Sequence, residues 1–221
     1  MKNLFISAIT IILLASCGTT GPTLEKQYPL MYSEKPTTIV IMPPINKTTH
    51  VEAKDYFYTT MYAPLCEKGY YVYSPYLTMD LFQSESAYDA ENFINGSLTS
   101  FRDVLGADAA MFTIITAWKR NNIGGKITAE VEYILRSTKT GETLYSRKGK
   151  IALDTSTSSG NLLTKVIVNV ISTATTDKVE AGRACNAYVL SNLPAGKYNV
   201  AKYGKDNNLP AGKMYIKATV K

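Results

Sequence analysis

The first seventeen residues place the strongest constraint on this chain, because they determine where a folded domain can begin. Lys2 precedes a predominantly apolar run over residues 4–14, and the small residues Ala15 and Ser16 precede Cys17. A basic start, a short apolar segment and small residues before a cysteine are typical of a secretory signal that ends in a lipobox. We predict that residues 1–16 are a signal peptide and that Cys17 becomes the lipidated N-terminus.

A membrane-spanning helix is the alternative interpretation of the same run. At about 1.5 Å per residue, the run is much shorter than the roughly 30 Å of hydrocarbon that a helix must cross. Lipid anchoring is therefore favoured, and two or more acyl chains, palmitate among them, would hold the protein stably on a membrane. No other stretch of the sequence is apolar enough to cross a bilayer.

Composition divides the rest of the chain into three parts. Residues 17–36 are rich in Gly, Thr, Pro and Tyr without apolar periodicity, which predicts a lipid-anchored linker. Residues 37–193 carry the periodic patterns of a globular domain. Residues 194–221 hold six lysines against Asp206 alone, whereas residues 17–193 balance at a formal charge of zero. We therefore treat residues 194–221 as a basic C-terminal extension.

A basic extension on a neutral domain favours contact with anionic surfaces such as lipid headgroups. The candidate lysines for this contact are Lys197, Lys202, Lys205, Lys213 and Lys217. A merely solubilising tail is the alternative, and nucleic acid is not expected because no recognition motif is present. The sequence Leu-Pro-Ala-Gly-Lys occurs twice, from Leu193 and from Leu209, each time before an aromatic and β-branched segment. Two such segments favour a β-hairpin at the edge of the sheet.

Two buried strands are predicted early in the domain. Residues 38–42 form an almost continuous apolar run that ends at Pro43, which is typical of a strand covered by helices on both faces. Residues 70–73 are aromatic and β-branched, and they lie between Gly69 and Pro75. A strand, a helix and a strand in succession predict a crossover connection and a parallel pair.

A helix is predicted between these strands. Thr49 followed three positions later by Glu52 is a capping box, so the helix should begin there. Apolar residues recur at every fourth position and predict a buried stripe of Phe57, Met61 and Leu65.

Six further elements follow from periodicity: a helix over 76–105, strands over 109–118, 126–136 and 142–153, and helices over 162–171 and 179–193. The strand over 126–136 alternates apolar and polar residues and should pair with the next strand as a hairpin that has one solvent-facing side. The predicted fold class is α/β, a mixed β-sheet with flanking helices, and not a doubly wound nucleotide-binding sheet.

The chain offers little material for catalysis. His50 is its single histidine, and helical geometry places it about four turns from Cys66, so a cysteine–histidine dyad is not expected. The cysteines and histidine lack zinc-ligand spacing, the acids show no calcium-loop pattern, and no phosphate-binding glycine motif is present. We expect no enzyme activity, no metal and no cofactor apart from the covalent lipid on Cys17.

Two cysteines remain besides the lipidated one. A secreted protein reaches a compartment that permits disulfides, so Cys66 and Cys185 could form one. Each cysteine also lies in an apolar, helix-like context, where buried free thiols are common. The sequence leaves both states open.

Nine of the sixteen tyrosines lie between residues 28 and 76. Tyrosine combines apolar area with a hydroxyl group, so such a concentration is typical of a surface that binds a protein or a glycan. We predict Tyr58 and Tyr62 as an exposed pair, and a partner surface made of Tyr58, Tyr62, Tyr70, Tyr71 and Tyr73. Such a face also favours a symmetric homodimer. The alternative is that these rings fill the space between sheet and helix.

Five segments together resemble a family of bacterial lipoproteins of unassigned function, of the meningococcal GNA antigen type. They are residues 28–32 (Tyr-Pro-Leu-Met-Tyr), 36–44 with the sequence Ile-Met-Pro-Pro-Ile-Asn from Ile41, 64–72 (Pro-Leu-Cys-Glu-Lys-Gly-Tyr-Tyr-Val), 105–109 and 137–141. The family is similar in fold to the N-terminal domain of TolB, to the curli-export lipoprotein and to penicillin-binding-protein activators. The resemblance implies a lipid-anchored periplasmic module that docks to envelope proteins, with no catalytic residues to carry over.

The expected function is that of a non-catalytic accessory or scaffold in an envelope assembly, for example as an auxiliary to transport or secretion. Gly18 follows the anchor where enteric bacteria use an acidic residue to retain lipoproteins at the inner membrane. This favours a periplasm-facing position on the outer membrane, with display at the cell surface left open. The alternative function is a glycan or small-ligand binding module with a groove lined by Tyr56, Tyr58, Tyr70 and Tyr73.

Overall fold

The computed structural model describes residues 21–121, 126–154 and 174–220. The predicted signal peptide, Cys17 and the predicted helix over 162–171 lie outside these ranges. The elements are α1 (Leu24–Gln27), α2 (Pro29–Glu34), β1 (Thr38–Ile41), β2 (Ile45–Asn46), α3 (Ala53–Glu67), β3 (Tyr71–Val72), α4 (Pro75–Ser84), α5 (Thr99–Leu105), β4 (Ala109–Asn121), β5 (Lys126–Ser137), β6 (Thr143–Asp154), α6 (Ala174–Val189) and β7 (Tyr215–Val220). Short 3-10 turns cover Ala90–Asn92 and Leu190–Asn192.

Within the described ranges, seven strands form one mixed sheet in the order β3, β1, β4, β5, β6 and β7, with β2 also paired to β4. β1 is parallel to both of its neighbours, and β7 is parallel to β6. β4, β5 and β6 are antiparallel, and β5 and β6 form the predicted hairpin. The predicted parallel pair of β1 and β3 is confirmed, as is the mixed α/β fold class.

Helices cover both faces of the sheet around β1. Ile39 and Ile41 pack into a first core with α3 and α6, whereas Val40 and Met42 point into a second core with α4 and α5. All four side chains are almost completely buried. The prediction of a strand covered on both faces is therefore confirmed. Its apolar run is continuous because both faces are buried under helices.

The other half of the sheet has one buried and one solvent-facing side. Burial alternates residue by residue along β5, as predicted from its sequence. On the solvent side the Glu132 carboxylate lies 3.1 Å from Lys148 Nζ, and Glu130 lies 3.9 Å from Lys150 Nζ. Partly exposed ion pairs of this kind contribute little stability and mainly keep the sheet face polar.

Helix α3 has the predicted buried stripe, since Phe57, Met61 and Leu65 are fully buried. The predicted capping box is wrong. Glu52 itself occupies the N-cap position with a helical backbone, and its carboxylate accepts a 2.9 Å hydrogen bond from Lys178 Nζ on α6. A cation on the neighbouring helix has replaced the local partner that the motif requires.

The single helix predicted over residues 76–105 is instead two helices, α4 and α5, separated by a 3-10 turn. The chain leaves the helical conformation after Ser84, and Ser86 adopts a φ of 54°. Residues 85–97 are rich in Ser, Asp, Asn and Gly, which favour turns over helix.

The predicted linker over 17–36 is wrong for the part that the structure describes. Leu24, Tyr28 and Met31 are buried in the first core, and the Tyr28 ring lies 4.7 Å from the ring of Tyr145. Their spacing of four and three is a helical pattern, but it is too short to stand out from a sequence rich in Pro and Thr. The N-terminal segment is therefore part of the domain from residue 22 onward.

The extension over 194–221 also belongs to the domain, and the predicted hairpin is wrong. Only the second repeat leads into a strand, β7, which is parallel to β6. In the first repeat, the Gly196 amide donates to the Lys68 carbonyl and the Tyr198 amide donates to the Gly69 carbonyl. A Cβ atom on Gly196 would lie 2.4 Å from the Gly69 oxygen, so this contact needs glycine.

Both cysteines of the described domain are free thiols. Cys185 is buried in the first core on α6, and this burial raises the pKa of its thiol well above the usual range. Cys66 is partly buried on α3. The sequence left open whether Cys66 and Cys185 form a disulfide, and in the structure they do not.

The close contact between β6 and α6 gives a stability prediction. A Cβ atom on Gly149 would lie 2.3 Å from Val189 Cγ2 and 2.9 Å from Ile216 Cγ2. Overpacking of a buried site costs about 1–3 kcal/mol, so Gly149→Ala should lower the free energy of unfolding by that amount. Urea unfolding followed by the fluorescence of Trp118, the single tryptophan, measures the change. Gly21→Ala is the control, because no atom lies within 4 Å of its Cβ position. Equal stability of the two variants would contradict this packing.

Candidate functional site

Two tyrosines of the predicted partner surface are buried. Tyr58 is 5% exposed, and its hydroxyl donates a 2.9 Å hydrogen bond to the Pro75 carbonyl. Tyr70 is 4% exposed and donates a 2.6 Å hydrogen bond to the Pro194 carbonyl. Burial raises the pKa of Tyr58 to about 12, and burial also raises the pKa of Tyr70 well above its usual range. The prediction that these two residues lie on a binding surface is wrong, because their hydroxyls join segments of the core.

The predicted tyrosine-lined groove is therefore not formed. Tyr58 and Tyr70, two of its four predicted wall residues, are buried in the core. Tyr56, the third, is stacked on Trp118 with ring centroids 5.8 Å apart. Tyr73 donates to the Leu105 carbonyl and fixes the end of α5. The interpretation of these rings as filling between sheet and helix is correct for most of this cluster.

A smaller aromatic surface remains where the sheet ends at β3. Tyr71 is 52% exposed and Tyr62 is 42% exposed. The rings of Tyr71 and Tyr73 meet edge to face with centroids 5.5 Å apart. Tyr62 lies on α3 one turn before Cys66, and Cys66 and Tyr71 both raise the pKa of Tyr62. We call Tyr62, Tyr71 and Tyr73 the β3 edge.

Two exposed apolar residues beside this surface were missed by the sequence analysis. Tyr76 and Leu77 are 75% and 66% exposed in the first turn of α4. Pro75 at the first helical position is the signal that could have placed them there, because proline is favoured at helix N-termini. Tyr76 and Leu77 follow Tyr71 by five and six positions in the chain, so we treat them as candidate neighbours of the β3 edge.

The five candidate lysines are all exposed, but they form two groups. Lys197, Lys202 and Lys205 lie in the loop that packs on the turn at Gly69. Lys213 lies two residues before β7, and Lys217 lies within it. Lys217 is in register with Lys150 on the solvent side of the sheet. Their contact with an anionic surface stays a prediction.

The arrangement of His50 and Cys66 gives no support to a catalytic dyad. The His50 carbonyl accepts a 2.7 Å hydrogen bond from Asn46 before α3 begins, whereas Cys66 lies in the last turn of that helix. A fifteen-residue helix separates them by roughly 20 Å. Residues 21–121, 126–154 and 174–220 contain no cluster of His, Cys, Asp or Glu that could hold a metal ion. Over the same ranges, no helix is both long and apolar enough to cross a bilayer.

Comparison with the crystal structure of one lipoprotein supports this architecture. The fold is similar to the crystal structure of lipoprotein GNA1162 from Neisseria meningitidis, with a TM-score of 0.51 and 22% identity over 60% of this chain and 93% of that chain. The PelC dodecamer from Paraburkholderia phytofirmans gives a TM-score of 0.43 and 15% identity over 78% of this chain and 92% of that chain.

Sequence comparison reaches the same family. The chain is 22% identical to the putative lipoprotein NMB1124/NMB1162 of Neisseria meningitidis serogroup B, over 98% of each chain. The sequence model of the family described as "Putative lipoprotein GNA1162-like" matches residues 26–201, which include all elements from α2 to α6. The resemblance inferred from the five sequence segments is confirmed, and the chain belongs to the GNA1162-like lipoprotein family.

Proposed function

We propose that the protein is a lipid-anchored, non-catalytic accessory or scaffold of a cell-envelope assembly, and that it binds an envelope protein through the β3 edge. Membership of a lipoprotein family supports the envelope location. The observation that carries the binding role is the exposure of Tyr71 on the last strand of the sheet and of Tyr62 on α3. Exposed aromatic side chains are enriched in protein interfaces, whereas Tyr58 and Tyr70 of the same region are used in the core.

The lipid anchor would hold the domain close to the membrane. The Pro22 carbonyl accepts a 2.9 Å hydrogen bond from the Ala211 amide, so the folded domain begins there. Five peptide units join Cys17 to Pro22 and reach at most about 18 Å when fully extended. The free tether is thus much shorter than the linker that the sequence predicted. Gly18 supports a periplasm-facing position on the outer membrane.

The short tether would also bring part of the basic extension to the membrane surface. Leu24 and Glu25 donate backbone hydrogen bonds to Leu209 and Asn207, so the extension lies beside the point where the tether leaves the domain. Lys205 and Lys213 flank this point. A lysine near an anionic membrane surface contributes roughly 1 kcal/mol to binding. These contacts support the proposal that the basic extension faces lipid headgroups.

The anchor is tested by replacing the lipid acceptor. Mass spectrometry of the native protein should show a chain that begins at Cys17 and carries diacylglycerol and an acyl group. Cys17→Ser should abolish this mass and release the protein from the membrane fraction. Cys66→Ser is the control and should leave both the mass and the fractionation unchanged. An intact leader, or a membrane-bound Cys17→Ser variant, would contradict the lipoprotein assignment for this chain.

The basic extension is tested with the lipidated protein in vesicles. Phosphatidylglycerol should slow the acetylation of Lys205 and Lys213 at least threefold relative to phosphatidylcholine, because anionic headgroups attract and cover the amines. Salt at 0.5 M should remove most of the difference by screening. Lys47 is the control. It is exposed and precedes the N-terminal end of α3, whereas the extension packs near the C-terminal end of that helix. Equal acetylation in both vesicle types would favour the solubilising role instead.

The β3 edge is tested by photo-crosslinking in cells. A photoreactive phenylalanine at Tyr71 should form an ultraviolet-dependent adduct with an envelope protein, and Tyr62→Ser with Tyr76→Ser should weaken that adduct severalfold by removing aromatic contact area. Tyr215, exposed on β7 at the opposite edge of the sheet, is the matched control position.

The mass of the adduct distinguishes the partners. An adduct at twice the mass of the chain supports the symmetric homodimer, and an adduct with a different envelope protein supports the accessory role. Adducts of equal yield from Tyr71 and Tyr215, or none from Tyr71, would overturn the assignment of the β3 edge.

A further inference from the structure

A pocket of about 320 Å³ lies where the C-terminal ends of α3 and α6 meet the basic extension. Its apolar wall includes Leu24, Leu190 and Leu209. Lys68 and Lys202 reach it from two different segments, together with the carboxylate of Asp206. The pocket has the size of a small-ligand site, and polar and apolar residues contribute equally to its lining.

The hydrogen bonds in this pocket distinguish donors that are already used from donors that are free. Both oxygens of Asp206 accept hydrogen bonds, from the Tyr32 hydroxyl at 3.1 Å and from the Ala195 amide at 2.7 Å. Lys68 donates one hydrogen bond, to the Ser191 carbonyl at 2.6 Å. An ammonium group has three N–H donors, so Lys68 has two more to offer, and the Lys202 ammonium has no hydrogen-bond partner among the described residues.

The charged groups around the pocket change the pKa of Lys68. Burial lowers the pKa of Lys68 to about 8, the charges of Lys202 and of the nearby Arg147 add to this effect, and Asp206 opposes it. Glu67 also lines the pocket. Asp206 is the anion that partly compensates Lys68, but both of its oxygens already accept hydrogen bonds from Tyr32 and Ala195, so they leave the two free donors of Lys68 without an acceptor. At pH 7 its amine is still mostly protonated, and a bound anion would stabilise that form.

We propose that this pocket binds an oxyanion, a phosphate or a carboxylate carried on a short apolar chain, through the ammonium groups of Lys68 and Lys202. The apolar chain would lie against Leu24, Leu190 and Leu209. Charged hydrogen bonds to both lysines supply the specificity, because each pairs a free donor with an oxygen that can accept. The binding site is independent of the β3 edge.

The proposal is tested by lysine protection in the full-length lipidated protein, held in a nonionic detergent at pH 7. Monohexyl phosphate and hexanoate at saturation should slow the acetylation of Lys68 and Lys202 at least fivefold, as measured by peptide mass spectrometry. Hexanol should not, since it lacks the anion. Lys205 lies in the same loop outside the pocket and should react at an unchanged rate. Unchanged acetylation of Lys68 and Lys202, or equal protection by hexanol, would overturn the proposal.

Two further measurements test whether both lysines and the charge of Lys68 contribute to binding. Lys202→Met should raise the concentration of monohexyl phosphate that half-protects Lys68 by about tenfold, which is the loss expected for one charged hydrogen bond. Lys205→Met is the matched control and should change it less than twofold. Protection of Lys68 should also weaken from pH 7 to pH 9.5, as its ammonium group loses its proton. A Lys202→Met variant with unchanged protection would overturn the two-lysine site.

The source of the oxyanion is distinguished in vesicles. If Lys68 is protected in vesicles of phosphatidylglycerol and not in those of phosphatidylcholine, the oxyanion is a lipid headgroup. If Lys68 reacts equally in both and is protected by monohexyl phosphate in detergent, the ligand is a diffusible small molecule. Either outcome supports the site, whereas protection in phosphatidylglycerol vesicles without protection by either soluble anion would overturn it.

Discussion

The buried guanidinium of Arg147 holds together the parts of the domain that lie far apart in sequence. Arg147 is 4% exposed on β6, and its Nε donates a 2.9 Å hydrogen bond to the Lys213 carbonyl. The same side chain donates to the Val189 carbonyl at 3.0 Å and to the Ser191 hydroxyl at 2.9 Å, at the C-terminal end of α6. A buried charge is costly unless it is paired or fully hydrogen-bonded, and the negative end of a helix dipole favours a cation. Sheet, helix and C-terminal segment are thereby fixed relative to one another.

Under the proposed function, this arrangement determines where the tether to Cys17 would leave the domain. Once Lys213 is fixed, residues 207–211 can form backbone hydrogen bonds with residues 22–25, and Asn192 can donate to the Ala211 carbonyl and the Tyr28 hydroxyl. The N-terminal segment then completes the first core through Leu24 and Tyr28. The two ends of the domain are therefore adjacent, and the extension lies beside Pro22 because the core requires it.

Sequence periodicity was sufficient to predict the elements in which one face packs on a single neighbouring layer. The alternation along β5 and the stripe of Phe57, Met61 and Leu65 each reflect a face that meets one continuous layer. Residues whose surroundings come from distant segments could not be predicted in this way. Tyr70 is buried by Pro194, and Glu52 is paired with Lys178 on α6. The Lys68–Lys202 pocket was missed for the same reason, since a turn and a loop more than a hundred residues apart build it.

The same contacts relate the β3 edge to the membrane under the proposed function. The turn at Gly69 precedes Tyr71 by two residues, and the extension packs directly on it through Tyr198. A lipid tether of at most about 18 Å would keep this end of the domain near the bilayer, because the Ala211 amide of the extension also donates a hydrogen bond to Pro22, where the tether would begin. A partner that contacts Tyr71 must therefore reach the domain close to the membrane surface. Membrane-embedded or lipid-anchored envelope proteins satisfy this condition, whereas a freely diffusing protein gains nothing from a tether so short.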